Sequence, residues 1–378
     1  RTQAYTTNAH VSAQNGYAQG FDGFMGLRKQ LSFDLEALHE RTLIWFICPK
    51  PFWTSNKQLV CKCFNLGYNQ LFDPPLLLWR KAGSIITEYG KRFIRLHKDE
   101  RFFLWLYYME PHSTYDPSRP FRPLPSEITL ERERVLRSLD LPDLSGEEII
   151  RPVDLQALLS LYDGEIADVD ALIGQVMEEL EKQGLMGRTV VILNADHGEE
   201  FYDHGDFTHG HTLYDELLRV PLIISGPIVK TPGRRVRTQV RLLDLVPTVC
   251  EIAGASIPEE AEGRSLVPFL RGEEMDELPA FSEVLHTTIF QKKSIRYNGY
   301  KLIYDVESGA VELYDLRTDP REQINVADQK PEIAEKMLTQ LQTWMLRTAR
   351  VATELPRQRP LSRAMSDETR QLLRDVGY

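Results

Sequence analysis

Long apolar runs are missing from this sequence of 378 residues. Stretches such as Phe102 to Met109 and Val220 to Ser225 are far shorter than the ~18–20 apolar residues that cross a membrane. We therefore expect no transmembrane segment.

Positive charge is also in short supply, because 45 lysines and arginines stand against 55 aspartates and glutamates, for a net charge of −10. A surface that binds the phosphates of nucleic acid needs the opposite sign. We therefore expect no nucleic-acid partner, although a local basic pocket for a small anion is compatible with this balance.

Cysteine is scarce as well. The four cysteines, Cys48, Cys61, Cys63 and Cys250, are too few and too irregularly spaced for a disulfide framework. Cys61 and Cys63 lack the spacing of a zinc-ribbon pair, and no second pair follows them. Ordinary thiols are the interpretation that the sequence favours.

Apolar patterns alternate between strand and helix along most of the chain. The run from Phe102 to Tyr108 is typical of a strand buried on both faces, and the helical spacing that begins at Asp154 ends at Gly184. Further strands are predicted at Thr189 to Leu193 and at Leu222 to Ser225. This alternation predicts an α/β fold with a mostly parallel central sheet flanked by helices.

The pattern changes after residue 280. Ser294 to Tyr304 and Ala310 to Leu316 resemble a hairpin, and an amphipathic helix is predicted from Glu332 to Thr348. We therefore expect an α/β domain over residues 1–280, a smaller C-terminal α+β subdomain over 281–348, and a surface tail over 349–378.

Histidine is rare, with nine in the chain, yet four of them lie between residues 197 and 211. Asp196 and His197 follow directly on the predicted strand that ends at Leu193, and His112 follows the strand that ends at Tyr108. In open α/β sheets, ligands bind beyond the carboxyl ends of strands. A carboxylate next to an imidazole therefore suggests half of a divalent metal site.

Several motifs, taken in chain order, resemble the sulfatase family of the alkaline-phosphatase-like superfamily. They are Met109 to Tyr115 (MEPHSTY, with Thr114 where proline is usual), Asn194 to Glu200 (NADHGEE), His209 to Ile224 (HGHTLYDELLRVPLII), Asp244 to Thr248 (DLVPT), and the Glu312 to Asn325 region of the C-terminal part.

The resemblance implies hydrolysis of a sulfate ester at a divalent cation, on a small-molecule or carbohydrate substrate. It matches Asp196 and His197 to the family's C-terminal pair of metal ligands, and His112 to the histidine that contacts the sulfate. His209 or His211 falls at the family's lysine or histidine position. Calcium is the cation expected from the family, whereas the nitrogen of His197 suits manganese or zinc better.

The sequence also departs from the family. None of the cysteines lies in the Cys-x-Pro-x-Arg pattern of the formylglycine nucleophile, and we expect no serine version of it either. The family's first acidic metal-ligand pair is missing too, and Arg1 to Phe24 resembles the segment that normally follows the nucleophile. The chain is thus expected to be N-terminally truncated and inactive by itself. Two alternatives stay open, a phosphodiesterase or phosphonate ester hydrolase of the same superfamily, and a non-catalytic anion-binding paralogue.

Overall fold

The computed structural model describes residues 2–6, 23–26, 82–112, 115–121, 152–259, 261–286 and 290–354. The chain divides into two compact units, one formed by residues 1–139 and 148–187 and the other by residues 140–147 and 188–378. The predicted domain boundary at residue 280 stays a prediction. Among the described residues, every helix is too short or too polar to cross a membrane.

The first unit contains a parallel sheet of three short strands. The strand Thr2–Thr6 lies at the centre and pairs in parallel with one neighbour on each side. Apolar residues on one side of the first helix, Ile86 and Phe93, pack with Phe102, Leu104 and Leu106 at the edge strand. The elements of this unit are β1 (Thr2–Thr6), β2 (Gly23–Gly26), α1 (Ala82–His97), β3 (Phe103–Tyr107) and α2 (Pro152–Lys182).

The long helix α2 confirms the helix predicted from the apolar spacing. It begins at Pro152, where the missing N–H costs nothing, and has Asp154 in its first turn. It is followed by Gly184, whose φ of 68° is the left-handed conformation that a helix-ending residue adopts. The N–H of Leu185 then donates to the carbonyl of Leu180 at 2.8 Å, which satisfies one of the last carbonyls of the helix.

The second unit begins with a pair of antiparallel strands joined by a long connection. Residues 195–221 leave the first strand at Asn194 and enter the second at Leu222, and these two residues are paired. Both ends of the connection therefore lie at the same edge of the pair. The elements here are β4 (Val191–Asn194), β5 (Glu200–Phe201), β6 (Phe207–Thr208), α3 (Asp215–Leu218), β7 (Leu222–Ser225), α4 (Leu245–Ala253) and α5 (Val267–Leu270).

The antiparallel pairing of β4 with β7 corrects the prediction for these two strands, which were expected to belong to a mostly parallel sheet. A continuous apolar run reports burial on both faces, but it carries no information about direction. Direction depends on where the connecting chain returns, and here the connection returns to the end of the pair that it left.

The C-terminal part of this unit is a four-stranded antiparallel sheet with a long helix on one face. Each strand pairs with the next one along the chain. Ile295, Leu302 and Leu313 form a buried core with Met337 and Leu341 of the helix. The elements are β8 (Ala280–His286), β9 (Phe290–Tyr297), β10 (Tyr300–Asp305), β11 (Val311–Asp315) and α6 (Pro331–Glu354).

The hairpin prediction for this region was too coarse. Ser294 to Tyr304 contains two strands and a tight turn at Asn298 and Gly299, whose φ values are 52° and 75°. Asn-Gly is a strong signal for such a turn. Helix α6 also continues to Glu354, into the range predicted as a tail.

Candidate active site

Two of the predicted metal ligands lie directly beyond strand β4. The carboxylate of Asp196 is half exposed, and its Oδ1 accepts the backbone N–H of His197 at 3.0 Å. His197 Nδ1 lies 2.8 Å from the carbonyl oxygen of Gly198, an atom that can only accept a hydrogen bond. Nδ1 therefore carries the proton, and the lone pair of the neutral ring is on Nε2.

This pair fits half of a divalent cation site. His197 Nε2 lies 4.0 Å from Asp196 Oδ1, so a cation about 2.0–2.6 Å from each atom can touch both. A histidine ligand normally donates its other ring N–H to a carbonyl or carboxylate. His197 does so through Nδ1, which leaves the correct nitrogen for a metal.

Two backbone segments approach each other closely at Gly198, which follows His197 in the chain. The N–H of Gly198 donates to the carbonyl of Leu217 at 2.8 Å, across the connection. A Cβ atom on Gly198 would lie 1.9 Å from the carbonyl oxygen of Glu216, far inside van der Waals contact. Only glycine allows the residues after His197 to pack against helix α3 in this way.

Of His209 and His211, the two candidates for one position in the site, the structure brings His209 against His197. The two rings are 4.1 Å apart between centroids and are tilted by 34°. His209 Nδ1 lies 2.8 Å from Glu199 Oε1, and both side chains are buried, with 7% and 4% of their surface exposed. Sequence reasoning gave Glu199 no role.

His211 has a different set of neighbours. Its Nε2 lies 2.9 Å from Glu200 Oε2 and 3.9 Å from Asp206 Oδ2. Burial by itself would lower the pKa of His211, but the hydrogen bond to Glu200 and the charges of Asp206 and Glu200 together raise it. His211 is therefore paired with carboxylates, whereas the ring of His209 packs on the proposed metal ligand.

His204, another of the four histidines between residues 197 and 211, belongs to a hydrogen-bond network. His204 Nδ1 lies 2.6 Å from Glu216 Oε1, and its ring stacks on Tyr214 at 3.6 Å. One ligand atom from each of Glu200, His204 and Glu216 lies within 4.8 Å of the other two, so distance alone allows a cation there. Glu200 already accepts N–H bonds from His204 and Asp206, and His204 Nδ1 and Glu216 Oε1 already bond to each other.

The remaining candidate, His112, belongs to the first unit. It lies beyond strand β3, and its N–H donates to the carbonyl of Met109 at 2.9 Å. Its predicted role beside Asp196 and His197 stays a prediction.

The expectation that the sequence contains no serine version of the nucleophile pattern is wrong, because one stretch matches the pattern. Residues 118–122 read Ser-Arg-Pro-Phe-Arg, which fits Ser-x-Pro-x-Arg. Ser118 is exposed, and its Oγ donates to Asp168 Oδ1 at 2.5 Å while its N–H donates to Asp168 Oδ2 at 2.5 Å. These bonds tie Ser118 to helix α2, and the pattern alone does not make this serine a nucleophile.

Comparisons with known proteins agree with these motifs. The protein-family model Sulfatase matches residues 2–255, and the model N-sulphoglucosamine sulphohydrolase, C-terminal, matches residues 202–349. Arylsulfatase K of Xenopus laevis is 33% identical over 199 residues, which cover 49% of this chain and 36% of that protein. Delta 4,5-hexuronate-2-O-sulfatase of Bacteroides thetaiotaomicron is 34% identical over 168 residues, which cover 42% of this chain and 34% of that protein.

The fold agrees as well. The solved structure of a 2-O GAG sulfatase has a TM-score of 0.62 and 22% identity, and the match covers 76% of this chain and 68% of the other. The match to the chain spans only about a third of the length of each of these two curated relatives. Because the Sulfatase model covers well over half of the residues, the chain belongs to the sulfatase family.

Proposed function

We propose that the protein hydrolyses a sulfate ester on a saccharide, with one divalent cation held by Asp196 and His197. The observation that carries this proposal is the donor pair itself, in which Nδ1 of His197 bonds to a carbonyl and Nε2 lies 4.0 Å from Asp196 Oδ1. Membership of the sulfatase family supports the reaction, and the names of the two curated relatives, an arylsulfatase and a hexuronate sulfatase, support a sulfated substrate.

The proposed chemistry depends on neutralising a sulfate group. When bound, the cation supplies positive charge toward the sulfuryl oxygens, on which negative charge is concentrated. Among the protein's own residues, we assign His112 to contact with the sulfate. His209 or His211 fills the position at which the family has a lysine or histidine. The packing of His209 on His197 favours His209 for this position.

We keep calcium as the cation, because the family resemblance implies it. The donor set gives a reason to test manganese and zinc as well, because calcium prefers oxygen and His197 offers nitrogen. The domain organisation that we propose is an α/β catalytic domain over residues 1–280 with a mostly parallel central sheet, followed by an α+β subdomain over 281–348 and a tail over 349–378. The parallel order β2-β1-β3 and the antiparallel sheet β8–β11 support this division.

The experiment compares Asp196→Ala with the wild type. The natural protein that contains residues 1–378 is expressed with whatever its gene encodes on either side, treated with chelator, and reloaded with calcium, manganese or zinc. Sulfate release is measured on an activated aryl sulfate and on a sulfated hexuronate disaccharide, and metal content is measured separately. We expect Asp196→Ala to lower both bound metal and kcat/KM, the latter by about 100-fold or more.

The matched control is Asp170→Ala, which removes an exposed aspartate of helix α2. It should leave metal content and sulfate release unchanged. Faster cleavage of an aryl phosphonate than of the aryl sulfate would overturn the proposal in favour of a phosphonate ester hydrolase. Binding of sulfated sugar without any turnover in the metal-loaded protein would favour the non-catalytic alternative.

A further inference from the structure

Two consecutive glutamates each hold a histidine of the same segment. Glu199 Oε1 lies 2.8 Å from His209 Nδ1, and Glu200 Oε2 lies 2.9 Å from His211 Nε2. The two pairs use different ring nitrogens, so the two rings are held in different orientations. Strand β5 begins at Glu200, and Glu199 directly precedes it.

The pairs also differ in their surroundings. In the first pair both side chains are almost fully buried, and the histidine ring packs on His197. In the second pair the histidine is 22% exposed and has a second carboxylate, Asp206, within 3.9 Å. The first pair is therefore part of the proposed site, whereas the second belongs to the hydrogen bonds that hold the segment together.

We propose that Glu199 is the positioning residue that orients His209 toward the substrate. This inference deepens the proposed function and rests on it. A carboxylate oxygen can only accept, so the bond to Glu199 assigns a proton to Nδ1 of His209. Nε2 is then the ring nitrogen that can face a sulfate ester.

The physical basis is the freedom that an imidazole otherwise has. A neutral histidine exists as two tautomers, and its ring can turn over about χ2. The hydrogen bond from Nδ1 of His209 to the Glu199 carboxylate restrains both the tautomer and the rotation of the ring. The ring of His197, which packs against the His209 ring, limits how far that ring can tilt. Displacement of a reacting group by about 1 Å can cost about 100-fold in rate, so this restraint matters for turnover.

The first test measures the tautomer of His209 directly and needs no turnover. Protein labelled with ¹⁵N at histidine is examined by long-range proton–nitrogen spectra, and the signals of His209 are assigned by their loss in His209→Asn. We expect the wild-type ring to carry a proton on Nδ1, and Glu199→Ala to shift the population toward the Nε2-protonated tautomer. Glu200→Gln, the matched control, should move the signals of His211 and leave the tautomer of His209 unchanged.

The second test separates positioning from folding through kinetics. We expect Glu199→Ala to lower kcat on the aryl sulfate by about 10–100-fold with little change in KM, because the ring is misplaced rather than lost. Glu199→Gln, whose amide oxygen can still accept from Nδ1, should recover most of this loss. Adding Glu199→Ala to His209→Ala should cost almost nothing more, since both act through one group.

Distinct results overturn the two proposals. A His209 tautomer that is unchanged in folded Glu199→Ala would overturn the positioning role, as would full turnover in this variant when His209→Ala is impaired. Full turnover in His209→Ala, with the tautomer still dependent on Glu199, would instead overturn the role of His209 in the proposed function.

Discussion

The two faces of the antiparallel sheet β8–β11 perform different tasks with neighbouring residues of the same strands. On one face, Ile295, Leu302 and Leu313 pack against Met337 and Leu341 of helix α6, and all five side chains are buried. This face is held by apolar contact, which is strong but has little directional preference.

On the other face, Ile303 and Tyr314 pack with Leu213 in a smaller apolar cluster, and the same face holds buried charges and hydroxyls. Lys301, the neighbour of Leu302, is fully buried, and its Nζ lies 2.9 Å from Asp215 Oδ1 and 2.8 Å from Glu322 Oε1. The hydroxyls of Tyr214 and Tyr314 both lie 2.9 Å from one oxygen of Glu312 and donate to it. These contacts hold Tyr214 and Asp215, which lie shortly after His209 and His211 in the chain.

Glu322 joins this polar face to residues 197–211, the segment that contains four histidines. It adopts a φ of 58°, is buried, and accepts the N–H of Asp215 at 2.6 Å through its side chain. Its carbonyl oxygen lies 3.2 Å from His204 Nε2. The comparison suggests that both faces stabilise the fold, whereas only the polar face also supplies the orientation that the candidate site needs.

The largest expected effect comes from Lys301→Met, which breaks the polar face. It leaves the buried carboxylates of Asp215 and Glu322 without their shared cation, and such a loss costs about 3–5 kcal/mol of unfolding free energy. Urea denaturation measures this cost. Lys293→Met is the control, because that lysine pairs with Glu283 at the sheet surface and should cost less than about 1 kcal/mol.

Equal denaturation midpoints for wild type and Lys301→Met would contradict the importance of this network. We also expect the remaining folded Lys301→Met protein to lose turnover, because Asp215 stands next to the segment that carries His209 and His211.

The second expected effect, Leu302→Ala, disturbs the opposite face at the adjacent residue. Removing a fully buried leucine side chain costs about 2–5 kcal/mol, depending on how far the cavity collapses. Turnover per folded molecule should stay at the wild-type level, since the contacts of Lys301 are on the other side of the strand. The measurement pairs a urea titration with an activity assay corrected for the folded fraction.

Leu346→Ala, at an exposed leucine of α6, is the control and should change stability by less than about 0.5 kcal/mol. If Leu302→Ala lowered turnover beyond its unfolded fraction, the division of labour between the two faces would be wrong.

Local patterns in the sequence predicted much of this architecture, because they depend on neighbouring residues. Helix α2 follows from apolar spacing between Asp154 and Gly184, and the α+β character of the C-terminal part follows from its strands and helix. The turn at Asn298 and Gly299 divides a stretch that apolar content alone predicts as one strand, although this dipeptide is itself a strong turn signal.

Other features could not be obtained from local patterns, because they depend on how distant segments meet. The antiparallel direction of β4 and β7 is decided by a 27-residue connection (195–221). The pairing of Glu199 with His209 and of Glu200 with His211 requires the chain to reverse through β5 and β6. The cluster of histidines is visible in the sequence, but the contact of the His209 ring with the His197 ring, which favours His209 over His211, depends on the tertiary structure.

The smallest expected effect is a pH dependence that only the polar contacts can produce, tested with His211→Gln. Burial alone would lower the pKa of His211, yet its hydrogen bond to Glu200 and the charges of Asp206 and Glu200 raise it above the ordinary value of 6.5. Burial likewise opposes the change at Glu200, whose pKa falls below 4.5 because His211 and the N–H groups of Asp206 and His204 donate to it.

The signs of these shifts define the window in which His211→Gln should be measured. A raised histidine pKa stabilises the folded protein fully below pH 6.5, and this contribution is lost as pH rises through the folded-state value. A lowered glutamate pKa stabilises it above pH 4.5, and this contribution is lost as pH falls through the folded-state value. The stability difference between wild type and His211→Gln should therefore be largest between these two pH values, at about 1 kcal/mol, and should narrow toward pH 8.

Urea titrations from pH 4 to pH 8 measure this difference. Leu302→Ala is the comparison, since its cavity cost involves no proton and should stay constant over that range. A His211→Gln difference that is equally constant would mean that the bond to Glu200 does not depend on the charge of the histidine, and that this pair holds its segment through geometry alone.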